Sequence, residues 1–303
     1  MDDLSRAIDA VRRNLPKALF ELDEPLKNHT TFKIGGPVRA MFYPEEKECL
    51  AEMCKILSEY EITPFIMGNG SNILASDKEL DIIVINATRI NGMQMTGETE
   101  IKVEAGALLS KVAMFACEHE LTGLEFAHGI PGTVGGGVMM NAGAYGGEMK
   151  DVVYSTTAYN AKTGEYTVTG AEHGFTYRHS IFSNIDDVVL STVIRLQEGD
   201  REAVKQKMDK LNTRRHMSQP LDMHSAGSTF KRPKEGYAAA LIEQAGLKGF
   251  MVGGAAVSEK HAGFIVNRGD ATFSDVFAVI EHVQEAVLKQ LGVQLELEVK
   301  VLS

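Results

Sequence analysis

Five groups of side chains in this sequence could do chemistry. The segment Phe175-Thr-Tyr-Arg-His-Ser-Ile-Phe182 sets one guanidinium, Arg178, among aromatic rings. Arginine is a permanent cation whose planar fork grips a carboxylate through two parallel bonds. An isolated arginine is also an ordinary surface residue, and that reading stays open on the residues alone. Ser225-Ala-Gly-Ser-Thr-Phe-Lys-Arg-Pro233 places hydroxyls before two cations. No His/Asp partner accompanies these serines in sequence, which argues against a hydrolase triad. Arg214 with Arg215 and Lys260 with His261 add further charge. Glu296 and Glu298 share one face of an alternating terminal segment, where a solvated strand face is the plain alternative.

Two glycine-bearing stretches complete the set. Gly68-Asn-Gly-Ser-Asn72 follows a short apolar run and can present several amide N–H groups to one anion, the nest arrangement that suits phosphate. A simple turn is the competing reading. It is neither a Gly-x-Gly-x-x-Gly fingerprint, which would need glycine at Ile73, nor a Gly-x-x-x-x-Gly-Lys-Ser/Thr loop. Nor is Ser71 a nucleophile elbow, since Asn69 and Ile73 stand where glycines are required. In Gly123–Met149, 9 of 27 residues are glycine, interleaved with Leu124, Phe126, Ile130, Val134, Val138, Met139, Met140 and Ala142. Linkers lack such apolar filling. Because glycine gives up the most chain entropy on folding, a buried run implies close approach of backbone to something, commonly a planar or phosphate-bearing ligand. A tightly packed, ligand-free turn region is the alternative.

These residues sit on an acidic chain of 303 residues with a formal charge of −10, 44% hydrophobic and 24% charged. That length allows two domains, and the charge argues against general nucleic-acid binding. Between Leu211 and Glu235 the balance reverses: Arg214, Arg215, Lys231, Arg232 and Lys234 face only Asp222 and Glu235, a net +3 that suits an anionic small ligand. No apolar run approaches the ~20 residues a membrane span needs. The polar start Met-Asp-Asp-Leu-Ser-Arg is no secretory signal, so a cytoplasmic location is expected. Three cysteines cannot all pair and show no zinc spacing, so no metal is expected. Cys54 falls with Leu50, Met53 and Leu57 on the apolar side of a helix and reads as core.

The elements that must position the candidates follow from periodicity. Helices are expected over residues 2–15, 45–60, 109–121, 201–217 and 237–245, the last ended by Gly246. Strands are expected over 64–67, 81–86, 100–104, 188–196, 251–257 and 263–267. Residues 152–169 read as a hairpin around Lys162-Thr-Gly164. Ser274 is expected to cap an amphipathic helix bearing Val276, Val279, Ile280, Val283, Val287 and Leu291. Leu295–Val301 alternates strictly and reads as a final strand.

Taken in order, Asn28-His-Thr-Thr-Phe-Lys-Ile-Gly-Gly36, Gly68–Asn72, Gly123–Met149, Tyr177-Arg-His-Ser180, Ser225–Pro233, Gly253-Gly-Ala-Ala-Val257 and Leu295-Glu-Leu-Glu-Val-Lys300 carry a resemblance. Over nearly its whole length the chain resembles the UDP-N-acetylenolpyruvoylglucosamine reductase (MurB) family of peptidoglycan precursor synthesis. The short span from Arg178 to Ser228 is similar to the family's compact branch, which lacks an inserted tyrosine-bearing loop.

The resemblance implies an α+β fold. Its FAD-binding region would be of the vanillyl-alcohol oxidase (PCMH) type and cover 1–199, in two subdomains of about 1–66 and 67–199. A smaller α+β substrate-binding domain would cover 200–303. It further implies FAD bound non-covalently, with His29 not an attachment point. The pyrophosphate would lie on Gly68, Asn69, Gly70, Ser71 and Asn72. Gly123, Gly129, Ile130, Pro131, Gly132, Gly135, Gly136, Asn141, Ala142 and Gly143 would line the flavin. NADPH would be the co-substrate and a UDP-sugar enolpyruvyl ether the substrate, held by Tyr145, Arg214, Lys231, Arg232 and His261. Arg232 and His261 stand where other branches carry amide side chains, and His128 and Gly137 also depart from the usual pattern.

The implied reaction sends hydride from NADPH to FAD and from flavin N5 to the terminal enolpyruvyl carbon. An enolate-like dianion must then be stabilised by preorganised donors. Arg178 and Glu298 match the family's stabilising pair, Glu298 being protonated or sharing a proton in the complex. Ser228 matches its proton donor. Two rival readings remain: an oxidase or dehydrogenase of the same flavoprotein superfamily, which would not need that trio, and a non-catalytic nucleotide-binding module.

Overall fold

A computed structural model describes residues 2–303, which form two compact units, each assembled from separate stretches of chain. Unit 1 comprises Met1–Asp23, Arg39–Asn69 and Asp81–Thr213; unit 2 comprises Glu24–Val38, Gly70–Leu80 and Arg214–Ser303. Unit 2 therefore takes two segments from within the first 199 residues, the stretch expected to bind flavin.

Unit 1 has two sheets. In the first, strands run in the order Leu19–Pro25, Pro37–Tyr43, Leu80–Asn86 and Phe65–Met67. Helices α1 (Asp3–Asn14) and α2 (Lys47–Ser58) pack with it around Phe42, Met53 and Ile83. Asp2 starts α1 by accepting the Ser5 amide at 2.7 Å, and the helix buries its Ala7, Ile8, Ala10 and Val11 stripe. Cys54 lies in this core, where burial pushes its thiol up to about 12.

The second sheet has the order Gly164–Thr169, Val153–Asn160, Val188–Arg195, Glu100–Glu104 and Met93–Met95, antiparallel throughout. The expected hairpin is its outer pair, with Asn160 opposite Gly164. Helices α3 (Leu109–Glu118) and α4 (Val134–Met139) contribute to its core. The glycine-rich stretch thus contains a helix that its composition hid, since three of the six α4 residues are the poor helix former glycine. Helix α5 (Arg201–Ser218) follows, burying only Val204 and Met208.

In unit 2, strands Met251–Val252, Ala255–Val257 and Ile265–Asn267 form an antiparallel sheet. Helices α6 (Ala238–Gln244) and α7 (Phe273–Leu291) pack with it, and the core includes Phe32, Ile34, Val279 and Val283. Gly246 ends α6 at φ +73°, as expected of a C′ glycine.

Two expectations need correction. Thr272, not Ser274, caps α7: its hydroxyl accepts the Asp275 amide at 3.1 Å while Asp275 accepts the Thr272 amide at 2.9 Å. The reciprocal box needs an acceptor three residues on, which Thr272 has in Asp275 and Ser274 lacks in Phe277. Asp77 accepts the Phe273 amide at 2.5 Å, satisfying another orphan donor. The final strand is also shorter than expected, Lys300–Leu302, and pairs in parallel with Ile73–Ala75. Upstream, the Glu298 and Val299 amides both donate to the Thr229 carbonyl, at 2.8 and 3.4 Å. Two residues facing one is the arrangement of a β-bulge, and it interrupts the ladder. Thr272→Ala should lower stability by about 1 kcal/mol, read from denaturant midpoints at unchanged m-value.

Candidate functional site

In unit 1, two glycine-bearing segments pack closely against each other. A Cβ on Gly68 would sit 2.2 Å from Thr133 Oγ1, and Asn69 Nδ2 donates to the Pro131 carbonyl at 2.6 Å. Thr133 is the N-cap of α4. Several glycines of the 123–149 stretch serve protein packing: a Cβ on Gly135 would meet Ala105 at 3.0 Å, one on Gly137 Leu109 at 3.1 Å, and one on Gly147 the Phe126 ring at 2.5 Å. Gly136 differs: it is exposed, and its nearest neighbour would be Thr133 Oγ1 at 3.7 Å. Gly137, a departure from the family pattern, is buried, and the 3.1 Å approach to Leu109 leaves little room for a larger residue. His128 Nδ1 bonds Asn212 of α5 at 2.8 Å, so the other departure ties α5 to the glycine-rich stretch.

The same stretch opens on a buried carboxylate that sequence reasoning passed over. Glu125 accepts from Thr122 Oγ1 at 2.5 Å and the Gly123 amide at 3.1 Å, with Lys207 at 3.3 Å. Burial pushes its carboxyl up, but these bonds and the lysine charge outweigh it and hold the group below its ordinary value.

Arg178 stands at φ +54° in a two-residue turn closed by mutual Thr176–His179 backbone bonds of 3.0 and 3.3 Å. Its Nη2 donates to the Gly143 carbonyl at 3.3 Å, and its guanidinium lies 5.1 Å from the Tyr177 ring centroid. Gly143 and Ala144 pair with Glu148 and Gly147 in a small hairpin. Tyr145 and Gly146 form its tip at φ +54° and +91°. The hydroxyls of Ser180 and Ser183 donate to the Met139 carbonyl at 2.9 and 2.6 Å, pinning the far side of the arginine turn. Behind it His173 is buried, Nδ1 toward the Gly170 carbonyl at 3.0 Å and Nε2 toward Thr156 Oγ1 at 2.9 Å. Burial lowers its pKa. Asn141, expected to face flavin, spends its side chain on protein partners.

Unit 2 brings Ser228 and Glu298 onto neighbouring segments. Ser228 pairs with Phe264, Thr229 donates to the Gly263 carbonyl at 2.8 Å, and the Thr229 carbonyl accepts from Glu298. Asn72 Nδ2 donates to the Glu298 carbonyl at 3.1 Å, and the Asn72 carbonyl accepts the Lys300 amide at 2.9 Å. The bulge at 298–299 is where a strand is re-aimed, a common device beside active sites. Gly70 stands at φ +60°, and a Cβ there would lie 2.1 Å from the His29 carbonyl oxygen. The Asn28–Gly36 motif is partly scaffold: Thr31 donates to the Ser225 carbonyl at 2.7 Å and Asn267 to the Phe32 carbonyl at 3.1 Å.

The expected substrate cations are spread along unit 2. Arg214 is exposed, Lys231 pairs with Glu296 at 3.4 Å, and Arg232 lies over the Tyr237 ring at 4.1 Å. His261 is half-buried with its pKa lowered by burial, and its Nδ1 accepts the Gly263 amide at 3.2 Å. That tautomer leaves Nε2–H as a donor, the capability an amide side chain would supply at this position.

Residues 219–302 match the C-terminal domain of UDP-N-acetylenolpyruvoylglucosamine reductase, and residues 38–170 match the FAD binding domain. The reductase of that name from Caldanaerobacter subterraneus is 46% identical over 296 residues, 98% of each chain. The chain belongs to the UDP-N-acetylenolpyruvoylglucosamine reductase family. Its relative from Clostridioides difficile is 44% identical over 290 residues, 95% of each chain. The crystal structure of the Thermus caldophilus reductase aligns at a TM-score of 0.80 and 34% identity, covering 94% of this chain and 99% of that one. Alkyldihydroxyacetonephosphate synthase aligns at 0.50 and 15% identity over 64% of this chain and 40% of its own, a likeness of fold alone. The α+β fold with a flavoprotein-type FAD binding domain is thus the one the reductase family resemblance implies.

The chain's own residues fit the flavin that family implies. The amides of Asn69, Gly70 and Ser71 donate to no protein acceptor among the described residues, and successive donors without acceptors suit an anion. Gly136 presents an open glycine surface. Gly68→Ala forces Thr133 to move; expected are a loss of about 1–3 kcal/mol and a lower flavin content of purified protein, read from the ratio of visible to 280 nm absorbance. Glu125 gives a pH signature. Its lowered pKa adds stability present above the ordinary value of about 4.3 and lost as pH falls through the folded value. Glu125→Gln should therefore melt lower than the parent at neutral pH, the two melting curves converging as pH falls through the lowered folded value.

Proposed function

We propose that the chain reduces UDP-N-acetylglucosamine enolpyruvate to UDP-N-acetylmuramate with FAD and NADPH, as a cytoplasmic enzyme of peptidoglycan precursor synthesis. Family membership supplies the substrate class. The observation that carries the residue assignment is the placement of Ser228 and Glu298 on hydrogen-bonded neighbouring segments. Among the described residues no helix is long and apolar enough to cross a membrane.

Bound FAD would supply the hydride that NADPH provides and that reaches the terminal enolpyruvyl carbon. That carbon accepts hydride only if the resulting negative charge spreads onto the adjacent carboxylate. Arg178 grips this carboxylate through its paired N–H groups, presented from the Thr176–His179 turn. Glu298 donates a hydrogen bond in its protonated form, since a charged carboxylate beside a dianion would repel it. Ser228 then gives its hydroxyl proton to the carbon next to the carboxylate, so that hydride and proton together saturate the double bond. A serine hydroxyl is a weak acid, but the carbon acid it meets is a stronger base, and the transfer runs downhill. Asn69, Gly70 and Ser71 hold the cofactor's pyrophosphate through their amides. Lys231, Arg232 and Arg214 balance the charge of the UDP group, and His261 donates through Nε2–H.

Purified protein should be yellow, bleach anaerobically with NADPH, and recover the oxidised spectrum when the enolpyruvyl sugar nucleotide is added. A colourless chain that takes up no FAD overturns the reading. Ser228→Ala should keep the NADPH half-reaction and slow recovery by roughly 10²–10⁴-fold. Equal slowing of both halves removes Ser228 from its role.

A further inference from the structure

Arg178 needs something to hold it. A non-glycine residue at φ +54° sits in a region of backbone that costs about 1–2 kcal/mol and persists only when its surroundings over-determine it. The buried Asn141 is the centre of those surroundings. One Nδ2 hydrogen goes to the Thr176 carbonyl at 2.8 Å, at the near end of the arginine turn, and the other to Glu148 Oε2 at 2.9 Å. Its Oδ1 accepts the Lys150 amide at 3.0 Å. Both donors and an acceptor lone pair are therefore committed to two segments, the Thr176 turn and residues 148–150. Glu148 pairs across the hairpin with Gly143, whose carbonyl takes the Arg178 Nη2. The carboxylate thus stands on the strand paired with the one that receives the guanidinium. Burial works to raise the Glu148 pKa, but bonds from Lys150 and Asn141 and the charges of Lys150 and Arg178 outweigh it.

We propose that Asn141 and Glu148 are positioning residues for Arg178: Asn141 fixes the Thr176–His179 turn to the Gly143–Glu148 hairpin, and Glu148 draws the guanidinium onto it. The inference rests on the role given to Arg178 above. Neither residue touches substrate; both act through where the arginine points. An arginine misplaced by about 1 Å loses up to about 100-fold in rate. That loss falls on the step that builds charge on the substrate carboxylate.

Asn141 stands at φ +42°, so Asn141→Gly removes the side chain while leaving the backbone a conformation glycine takes readily. In the flavin-loaded enzyme it should slow reoxidation by the enolpyruvyl substrate at least about tenfold. Reduction by NADPH should stay within about threefold, and the loss should fall in kcat rather than KM. In the flavin-free chain, amide exchange over residues 175–183 should quicken, a readout independent of turnover. A merely structural role would lower thermal stability and both half-reactions together, and that result overturns the proposal. Arg178→Lys separates the two layers. If it leaves reoxidation unchanged, the catalytic reading of Arg178 is what fails. If it slows reoxidation and Asn141→Gly then adds its full effect on top, the two act independently and the positioning role fails; a smaller added effect supports it. Should Asn141→Gly not hold flavin, Glu148→Gln carries the test, since it keeps an acceptor for Asn141 and removes only the charge. Selective slowing of reoxidation supports the proposal, and an unchanged rate overturns it.

Discussion

The close packing of Gly68–Asn69 against Pro131–Thr133 is the constraint on which this part of unit 1 depends. Two segments 62 residues apart in sequence are held by an Asn69–Pro131 bond of 2.6 Å and by a contact at Gly68 that has no room for a Cβ. Nothing larger than glycine permits that spacing without moving the Thr133 side chain, and Thr133 is where α4 begins. The Asn69 amide, left without a protein acceptor, is therefore placed by packing. A binding surface built this way is preorganised, because its donors are fixed before any anion arrives.

Unit 2 solves a related problem with strand irregularity. The Ser228 segment is tied to Phe264 on one side and to the Glu298 segment on the other. A regular strand would alternate its side chains without exception, and the charged alternation of Leu295–Val301 invites that reading. The bulge at Glu298–Val299 breaks the period at the residue for which chemistry is proposed. Asn72 then fixes the carbonyl of that same residue. The side chain of a loop expected to hold phosphate is thereby also a clamp on Glu298.

Elements with strong periodicity are legible: α1, α2, α3 and α6, the hairpin and the amphipathic face of α7 follow from spacing of apolar residues, whereas α5 reads as a polar connector helix and buries only Val204 and Met208. Less legible were features whose signal is a single atom's hydrogen bond. The α7 cap lies two residues before Ser274 because the reciprocal acceptor, Asp275, stands three residues past Thr272. Helix α4 was invisible because glycine contradicts helix propensity, and only the packing of Gly135 on Ala105 and Gly137 on Leu109 explains the choice. The site residues were legible as a set through family resemblance, while Asn141 was read as a flavin contact. Its pattern, a buried asparagine in the left-handed region, leaves no periodic trace.

Where the chain needs a left-handed residue and no side chain, as at Gly70 and Gly146, it uses glycine and avoids the cost. At Asn141, Tyr145 and Arg178, three of the eight non-glycine positions with positive φ among the described residues, it does not. Asparagine tolerates this backbone through its short polar side chain, whereas tyrosine and arginine gain nothing local from it. The three lie in one hydrogen-bonded patch, Asn141 to Thr176 and Arg178 to Gly143, beside the Tyr145 tip. Glycine at 178 would relieve the strain at once and remove the guanidinium with it. Retaining arginine in a turn that disfavours it is understandable only if its side chain is worth more than the strain, and the bonds around Asn141 are what make that arrangement stable.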